Sequence, residues 1–195
     1  MKGLIKSYTT DKYLRPIRNQ ICDLVNPNTS VIEFGCGNGD LLFKLSEKID
    51  YGLGIDISKN LIKHAINKSH KHRNDNLSFK VFNLNTTLEV SEKYDYAVAS
   101  LLLHILPWHK SMKLLELMLS ISHTTILCSF TEPKTTYEKL LLNLDQRFTM
   151  HYSNFKVYKK NNYIKGFLNH IPNIHYKSFN SFDNAIEIIL IKNKT

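Results

Sequence analysis

The chain has 195 residues, of which 43% are hydrophobic and 22% charged, and these proportions exclude a disordered or fibrous protein. Lys and Arg number 26 against 17 for Asp and Glu, so the formal net charge is +9, which favours nucleic acid, an acidic carrier protein or an anionic surface as a partner. The 3 cysteines lack CxxC spacing and no apolar run has the length of a signal peptide or membrane span, so we expect a cytoplasmic protein without disulfides or zinc.

The first pattern along the chain is helical. Apolar residues recur at three- and four-residue intervals between residues 12 and 25. This spacing predicts an amphipathic helix with Pro16 in its first turn. We therefore expect residues 1–28 to form an N-terminal helical segment.

Short apolar strands then alternate with helical stretches. Each predicted strand is a brief apolar run, and the stretch after it repeats its apolar residues with helical spacing. Such alternation is typical of a parallel sheet with helices on both faces. The predicted strands are 30–34, 51–56, 77–82, 94–100 and 124–130, and the predicted helices are 40–48, 60–69 and one with Pro107 in its first turn.

The last third of the chain departs from this alternation. Residues 133–162 keep helical spacing and contain many aromatic side chains, so we expect a helical insertion that covers a pocket as a lid. Residues 174–179 and 185–192 predict an antiparallel hairpin with a buried last strand. The prediction is one α/β domain over residues 1–195, with a doubly wound sheet of seven mostly parallel strands and an antiparallel last strand.

Three glycines follow the first predicted strand. Gly35, Gly37 and Gly39 stand where bare backbone can approach a ligand and where the next helix offers free N–H groups. A dinucleotide fingerprint requires its third glycine at position 40, which is Asp40 here, so the spacing argues against NAD. Asp56 ends the second strand, where a carboxylate can accept hydrogen bonds from both hydroxyls of a ribose. Each feature alone is explained by a tight turn or a strand-end cap, but together they indicate an adenosine-containing ligand.

At these positions the sequence resembles the class I S-adenosylmethionine-dependent methyltransferase family. Residues 31–39 look like the first motif of that family, and residues 54–58 look like the second. Residues 99–107 are similar to the family segment after strand four, and the resemblance weakens beyond Phe130. It implies a Rossmann-like fold, S-adenosylmethionine as cofactor and S-adenosylhomocysteine as product.

The resemblance also implies a set of cofactor-binding residues. Glu33 and the glycine loop would hold the methionine portion, Asp56 the ribose, and Ile57 one face of the adenine. The full set is Arg15, Glu33, Gly35, Cys36, Gly37, Gly39, Asp56, Ile57, Asn83, Leu84 and Ser100.

Some of these assignments depend on a partial match to the family. Arg15 and Tyr8 precede the core in a segment that often closes over the cofactor, where an arginine could pair with the methionine carboxylate, although a surface position fits equally well. Asn83 stands where the family more often has Asp, and its amide oxygen can still accept a hydrogen bond from the adenine. The Pro-Gly-Gly turn that is frequent before strand five is absent.

Two histidines are candidate general bases. Methylation of a hydroxyl, or of a ring carbon beside one, is assisted by a base of near-neutral pKa. His104 follows strand four, whose carboxyl end faces the transferred methyl group in this fold, although a structural or cofactor-lining role is as well supported. His151 shares four-residue spacing with Arg147 and Phe155 in the insertion, where a solvated helix face is the simpler explanation. The three histidines within residues 63–73 lack a cysteine or carboxylate to complete a metal site.

Three functions fit these observations. The favoured one is O-, N- or C-methylation of a small molecule, because nearly the whole chain forms the fold and only residues 133–162 are left for recognition. Methylation of RNA or of a carrier-bound substrate is suggested by the charge of +9 and by basic stretches at 63–73 and 156–165, although the lysines are scattered as compositional bias would produce. The third is a non-catalytic member of the fold that acts through partners.

Overall fold

The helices and strands form a single open sheet with helices packed against it. The computed structural model describes the backbone of residues 2–86, 88 and 93–193, and the side chains of residues 13–86, 88 and 93–192. The elements are α1 (Lys2–Leu24), β1 (Ser30–Phe34), α2 (Asp40–Leu45), β2 (Tyr51–Asp56), α3 (Lys59–His72), β3 (Leu77–Val81), β4 (Tyr94–Ser100), α4 (Trp108–Ile121), β5 (Ser122–Phe130), α5 (Thr136–Arg147), α6 (Tyr152–Lys160), α7 (Tyr163–His170), β6 (Ile174–Asn180) and β7 (Ile186–Asn193).

Within the described residues the sheet has seven strands in the order β3-β2-β1-β4-β5-β7-β6. Strands β1 to β5 are parallel, and β7 runs antiparallel to both β5 and β6. The predicted doubly wound α/β sheet with an antiparallel last strand and helices on both faces is confirmed. The strand order reverses between β1 and β4, and in open α/β sheets ligands bind outside the carboxyl ends of the strands at that point.

The central strands are buried on both faces, which explains their continuous apolar runs. Residues 31–34 of β1 and 96–99 of β4 are all buried. A parallel strand covered by helices on both sides has no solvent face, so it lacks the apolar-polar alternation of an exposed sheet. The core therefore lies on either side of β1, β4 and β5, and it holds the carboxyl ends of these strands in fixed positions.

Two details of the N-terminal and central helices differ from the prediction. Helix α1 begins at Lys2, so Pro16 lies inside the helix and not in its first turn. A proline there has no N–H for the carbonyl of residue 12, and the helix continues despite that lost hydrogen bond. Pro107 is the N-cap residue of α4, immediately before the first turn.

Residues 133–162 contain two helices with different environments. Helix α5 leaves much of its apolar surface exposed, including Leu140 and Leu144. Helix α6 buries Phe155 and Tyr158 completely or nearly so, and the following helix α7, which was not predicted, buries Phe167. The aromatic residues Phe155, Tyr158 and Phe167 therefore belong to the core, whereas Phe148, directly after α5, is 86% exposed.

Candidate cofactor and acceptor sites

The glycine loop between β1 and α2 adopts a backbone that favours glycine at three positions. Gly35, Gly37 and Gly39 have φ angles of +72°, +56° and +81°. Only glycine adopts this left-handed region without a steric penalty. The backbone N–H groups of Gly35 and Cys36 donate to the carbonyl of Ile55 at 2.8 and 3.1 Å, which ties the loop to β2.

The three glycines have different surroundings. A methyl group on Gly39 would lie 2.6 Å from the Phe79 ring, and one on Gly35 would lie 3.1 Å from Leu102. At Gly37 no heavy atom lies within 4 Å of the equivalent position. The outer two glycines therefore permit packing inside the protein, whereas Gly37 borders open space.

Asp56 connects the end of β2 to the glycine loop. Its two carboxylate oxygens accept hydrogen bonds from the backbone N–H groups of Gly37 at 2.9 Å and Ser58 at 2.8 Å. The side chain is half-buried, and a carboxylate has about four lone-pair sites, so it retains acceptor capacity towards the cleft. Asp56 thus fixes the loop and presents an oriented anion at the switch point.

Glu33 is a buried carboxyl group with an unsatisfied oxygen. It lies in β1 with 5% exposure, and its Oε2 atom has no hydrogen-bond partner among the described residues. Burial raises the pKa of Glu33 to about 8, and the nearby charge of Arg18 opposes that increase. A buried carboxyl that lacks a donor is costly, so this position is suited to a cationic or N–H donor supplied by a ligand.

An arginine and a lysine meet at Asp40, the first residue of α2. Arg18 of α1 lies 3.3 Å from one carboxylate oxygen, and Lys68 of α3 lies 3.0 Å from the other. The Arg18 contact holds α1 beside the glycine loop. Arg15, the arginine selected from the sequence, is exposed on α1, and the side chain of Tyr8 lies outside the described residues.

The remaining predicted cofactor residues border the same end of the sheet. Ile57 directly follows β2, and its large apolar side chain is 69% exposed. Asn83 and the half-buried Leu84 follow β3, and Asn83 Oδ1 accepts a hydrogen bond from the N–H of Asn85 at 3.0 Å. Ser100 ends β4 and is half-buried.

Cys36 has a structural environment. Its thiol is buried, and a methyl group on Gly54 would lie 2.9 Å from its sulfur atom. Burial is the main cause that raises the pKa of the Cys36 thiol far above its ordinary value. The side chain therefore packs the loop against β2 as an inert, neutral group.

A cavity of about 610 Å³ lies beyond the carboxyl ends of β4 and β5. Its walls come from α1, the segment after β4, the end of β5, helix α5 and the turn before β7. Leu101 and His104 contribute from the segment after β4, and Leu102 of the same segment packs on Gly35, so the cavity adjoins the glycine loop. Leu101 was not among the site residues selected from the sequence, and its φ of +51° is a strained value for a leucine.

His104 lines this cavity as a neutral imidazole. It is 6% exposed, and its ring packs edge-on against Phe130 at a centroid distance of 4.7 Å. Its Nδ1 atom has no hydrogen-bond partner in the part of the chain that the structure describes. Burial, and secondarily the charge of His151, lower the pKa of His104 to about 4. At neutral pH the imidazole can therefore donate or accept a hydrogen bond with a molecule in the cavity.

The comparison with protein families decides the assignment. A family model described as a methyltransferase domain matches residues 25–185, which include the glycine loop, Asp56 and His104. The chain belongs to this methyltransferase family. It is an S-adenosylmethionine-dependent methyltransferase, as the resemblance in the sequence implied, and the non-catalytic alternative is not supported.

Solved structures with low sequence identity share the fold of this methyltransferase. Magnesium protoporphyrin IX methyltransferase from Synechocystis PCC 6803 with bound SAH is 17% identical, with a TM-score of 0.64 over 95% of this chain and 84% of that one. The PH0226 protein from Pyrococcus horikoshii OT3 is 13% identical, with a TM-score of 0.68 over 95% and 91% of the two chains. An rRNA methylase from Streptococcus thermophilus is 10% identical, with a TM-score of 0.60 over 92% and 97%. No curated protein matches the sequence.

The histidines of the methyltransferase occupy different environments. His151 is half-buried at the N-cap of α6, and its carbonyl accepts the N–H of Phe155 at 3.0 Å. Arg147 ends the separate helix α5, so the three residues do not share one helix as predicted. The two helices are separated by residues 148–151, because α5 ends at Arg147 with Phe148 as its C-cap residue. His151 is close enough to His104 to affect its pKa, but it is not among the described residues that line the cavity.

Metal-binding groups and membrane-spanning helices are both absent from the described part of the methyltransferase. No group of His, Cys, Asp or Glu side chains there is arranged to hold a metal ion. No helix among those residues has the length and apolar character needed to cross a membrane.

Proposed function

We propose that this methyltransferase transfers the methyl group of S-adenosylmethionine to a small molecule held in the cavity beside His104. The observation that carries this proposal is the cavity itself, about 610 Å³ in volume, which adjoins the glycine loop and contains a buried polar atom without a partner, His104 Nδ1. Binding sites for small molecules have volumes of roughly 300–1,000 Å³. A mostly apolar pocket with one unsatisfied polar atom orients a small acceptor.

The residues at the switch point fit the two ends of the cofactor. Glu33 has the unsatisfied buried oxygen that an amino group would complete, and Gly37 borders the space that a ligand would occupy. Asp56 is oriented to accept from ribose hydroxyls, and the exposed Ile57 offers an apolar surface to one face of the adenine. When bound, S-adenosylmethionine supplies an electrophilic methyl carbon on a sulfonium.

His104 orients the acceptor in this proposal. A neutral imidazole can accept a hydrogen bond from a hydroxyl or N–H group of the acceptor. This hydrogen bond directs the lone pair of the acceptor atom at the methyl carbon. Because burial lowers the pKa of His104 to about 4, the imidazole binds a proton weakly. Its contribution is therefore alignment of the acceptor, and the proton that the acceptor loses passes to water.

Helices α1 and α5 cover the two sites in the proposed enzyme. The pairing of Arg18 with Asp40 holds α1 at the glycine loop, and Tyr13 and Leu14 of the same helix line the acceptor cavity. Glu138 and Leu141 of α5 line its other side. We infer that, within residues 133–162, only α5 acts as a lid, because α6 is part of the core of the single domain.

RNA remains the alternative acceptor, and its support is the net charge of +9 and the exposed lysines of α3 and α6. These lysines do not enter the cavity, since no Lys or Arg is found among the described residues that line it. Binding to RNA through phosphates would weaken steeply with salt. Absence of binding to total RNA at low salt would remove this alternative.

The test is transfer of labelled methyl groups to separate pools of small molecules, RNA and protein. We expect label in the small-molecule pool. Leu141→Trp should fill the mouth of the cavity and lower that transfer about tenfold or more, with unchanged affinity for S-adenosylhomocysteine, since overpacking costs about 1–3 kcal/mol. Leu61→Trp on α3 is the matched control because Leu61 and Leu141 are 43% and 47% exposed. Label found only in RNA or protein would contradict the proposal.

A further inference from the structure

The acceptor cavity has the opposite charge to the protein as a whole. The chain carries 26 Lys and Arg residues and a net charge of +9. Among the described residues that line the cavity none is Lys or Arg, whereas three are acidic, namely Glu138, Asp145 and Asp183. The charge of the described lining is therefore opposite in sign to the net charge of the chain.

Two of the three carboxylates keep acceptor capacity. Glu138 is occupied, because it accepts from the N–H groups of Lys134 and Thr135 and from the Asn184 amide. Asp145 accepts a hydrogen bond from Gln146 Nε2 at 2.9 Å. Asp183 accepts from the Tyr13 hydroxyl and from the N–H of Ala185.

No basic side chain neutralises this acidic lining within the described part of the chain. The salt bridges found there join Arg18 and Lys68 to Asp40, and Lys139 to Glu132, so none involves the cavity. Burial raises the pKa of the Tyr13 phenol first, and the charges of Asp183 and Asp145 raise it further. Within the described part of the chain, the carboxylates of the lining therefore form no salt bridge.

An independent feature lies at the inner end of the same cavity. The Nδ1 atom of His104, a residue with only 6% exposure, has no partner among the described atoms. The other lining residues include the apolar side chains of Phe130, Ile105 and Leu142 and the buried Gln146. The cavity therefore combines a buried neutral polar atom, largely apolar walls and carboxylates that are exposed or half-buried.

We propose that the acceptor is a cationic small molecule, with an apolar body whose ammonium group is held by Asp145 and Asp183 and whose methylated group points towards His104. This inference rests on the proposed function. An ammonium group supplies the charge-assisted donors that free carboxylate oxygens accept. A phosphate or carboxylate on the acceptor would be repelled by the same residues, which disfavours acidic carriers and RNA phosphates in this cavity.

The direct test divides a small-molecule extract by ion exchange at neutral pH into cationic, neutral and anionic fractions. Each fraction is offered to the enzyme with labelled S-adenosylmethionine. We expect the label in the cationic fraction. Label confined to the neutral or anionic fraction would overturn the charge assignment and leave small-molecule methylation standing.

Substitution of the aspartates then tests where the cation binds. Asp145→Asn and Asp183→Asn should each lower kcat/KM about fivefold, the effect of one exposed ion pair, and high salt should reduce the difference. Asp50→Asn is the control, because Asp50 is an exposed acid just before β2, at the opposite end of the sheet. Unchanged kcat/KM in both cavity variants would overturn the assignment.

A second measurement applies even if no fraction becomes labelled, an outcome that would contradict the proposed function. Leu141→Cys and the matched Leu61→Cys are treated with methanethiosulfonate reagents that carry an ammonium or a sulfonate group. The ratio of ammonium to sulfonate reaction rates should be higher at position 141, and Asp145→Asn and Asp183→Asn should reduce it. An equal or lower ratio at position 141 would overturn the inference by itself.

Discussion

Substitution of Gly37 separates ligand binding from folding in this methyltransferase. Gly37→Ala adds one methyl group at a position where no heavy atom lies within 4 Å and where φ is +56°. The left-handed backbone costs an alanine about 1–2 kcal/mol, and no protein atom needs to move. For a protein of this size, that corresponds to a decrease in Tm of roughly 2–8 °C.

The effect on the ligand should be larger than the effect on the fold. If the cofactor occupies the space beside Gly37, the new methyl group intrudes on it at a cost of about 1–3 kcal/mol, so affinity should fall about tenfold or more. Isothermal titration with S-adenosylhomocysteine measures this loss, and thermal unfolding of the ligand-free protein measures stability.

Gly39→Ala is the matched comparison. It has a similar φ of +81°, but its methyl group would lie 2.6 Å from the Phe79 ring. Steric overlap adds to the backbone cost, so the loss of stability should reach roughly 2–5 kcal/mol. Wild-type affinity in Gly37→Ala, or a loss of stability equal to that of Gly39→Ala, would refute the placement of the ligand.

Three further outcomes are expected at the two sites. Binding of S-adenosylhomocysteine at pH 7 should release a proton from Glu33, because the pKa of about 8 that Glu33 has in the free protein falls beside a bound amino group. Calorimetric titration in buffers of different ionisation enthalpy detects the released proton, and Glu33→Gln should abolish the release. Asp56→Asn should weaken the same ligand about tenfold or more, since hydrogen bonds to charged groups contribute about 1.5–3 kcal/mol, and unchanged titration isotherms would contradict its role. The pKa of His104 is about 4 in the folded protein and 6.5 in the unfolded chain, so the unfolded state binds more protons between these pH values. The protein should therefore lose stability as pH falls from 6.5 to 4, by up to about 1.4 kcal/mol per pH unit. His104→Phe should flatten that decline in urea unfolding, and an unaltered pH profile would show that burial of His104 is not its cause.

Local sequence patterns predicted the central half of the fold because each pattern has a local physical cause. The strand β4, predicted as residues 94–100, was confirmed with the same bounds, since a strand buried on both faces requires an uninterrupted apolar run. The glycines at 35, 37 and 39 were identified as a loop after β1 because no other residue adopts their backbone without strain. The hairpin of β6 and β7 was predicted for the same kind of reason.

The properties of the acceptor cavity depend on residues that are distant in the chain. Tyr13 and Asp183 are 170 residues apart and become hydrogen-bonded neighbours only when α1 packs beside the turn before β7. Their charge environment could not be obtained from net charge, because a total of +9 contains no information on which side chains converge. The same is true of Arg18, which reaches Asp40 while the nearby Arg15 stays exposed.

The sequence by itself determined the order of strands and helices, the glycine loop and the acid at the end of β2, because backbone preference and apolar periodicity act over a few residues. These features were enough to identify the methyl donor. Tertiary structure alone decided that Glu33 lacks a partner, that His104 is held neutral, and that three carboxylates surround one cavity. Each of these depends on desolvation and on charges brought together by packing, and neither is encoded by spacing along the chain.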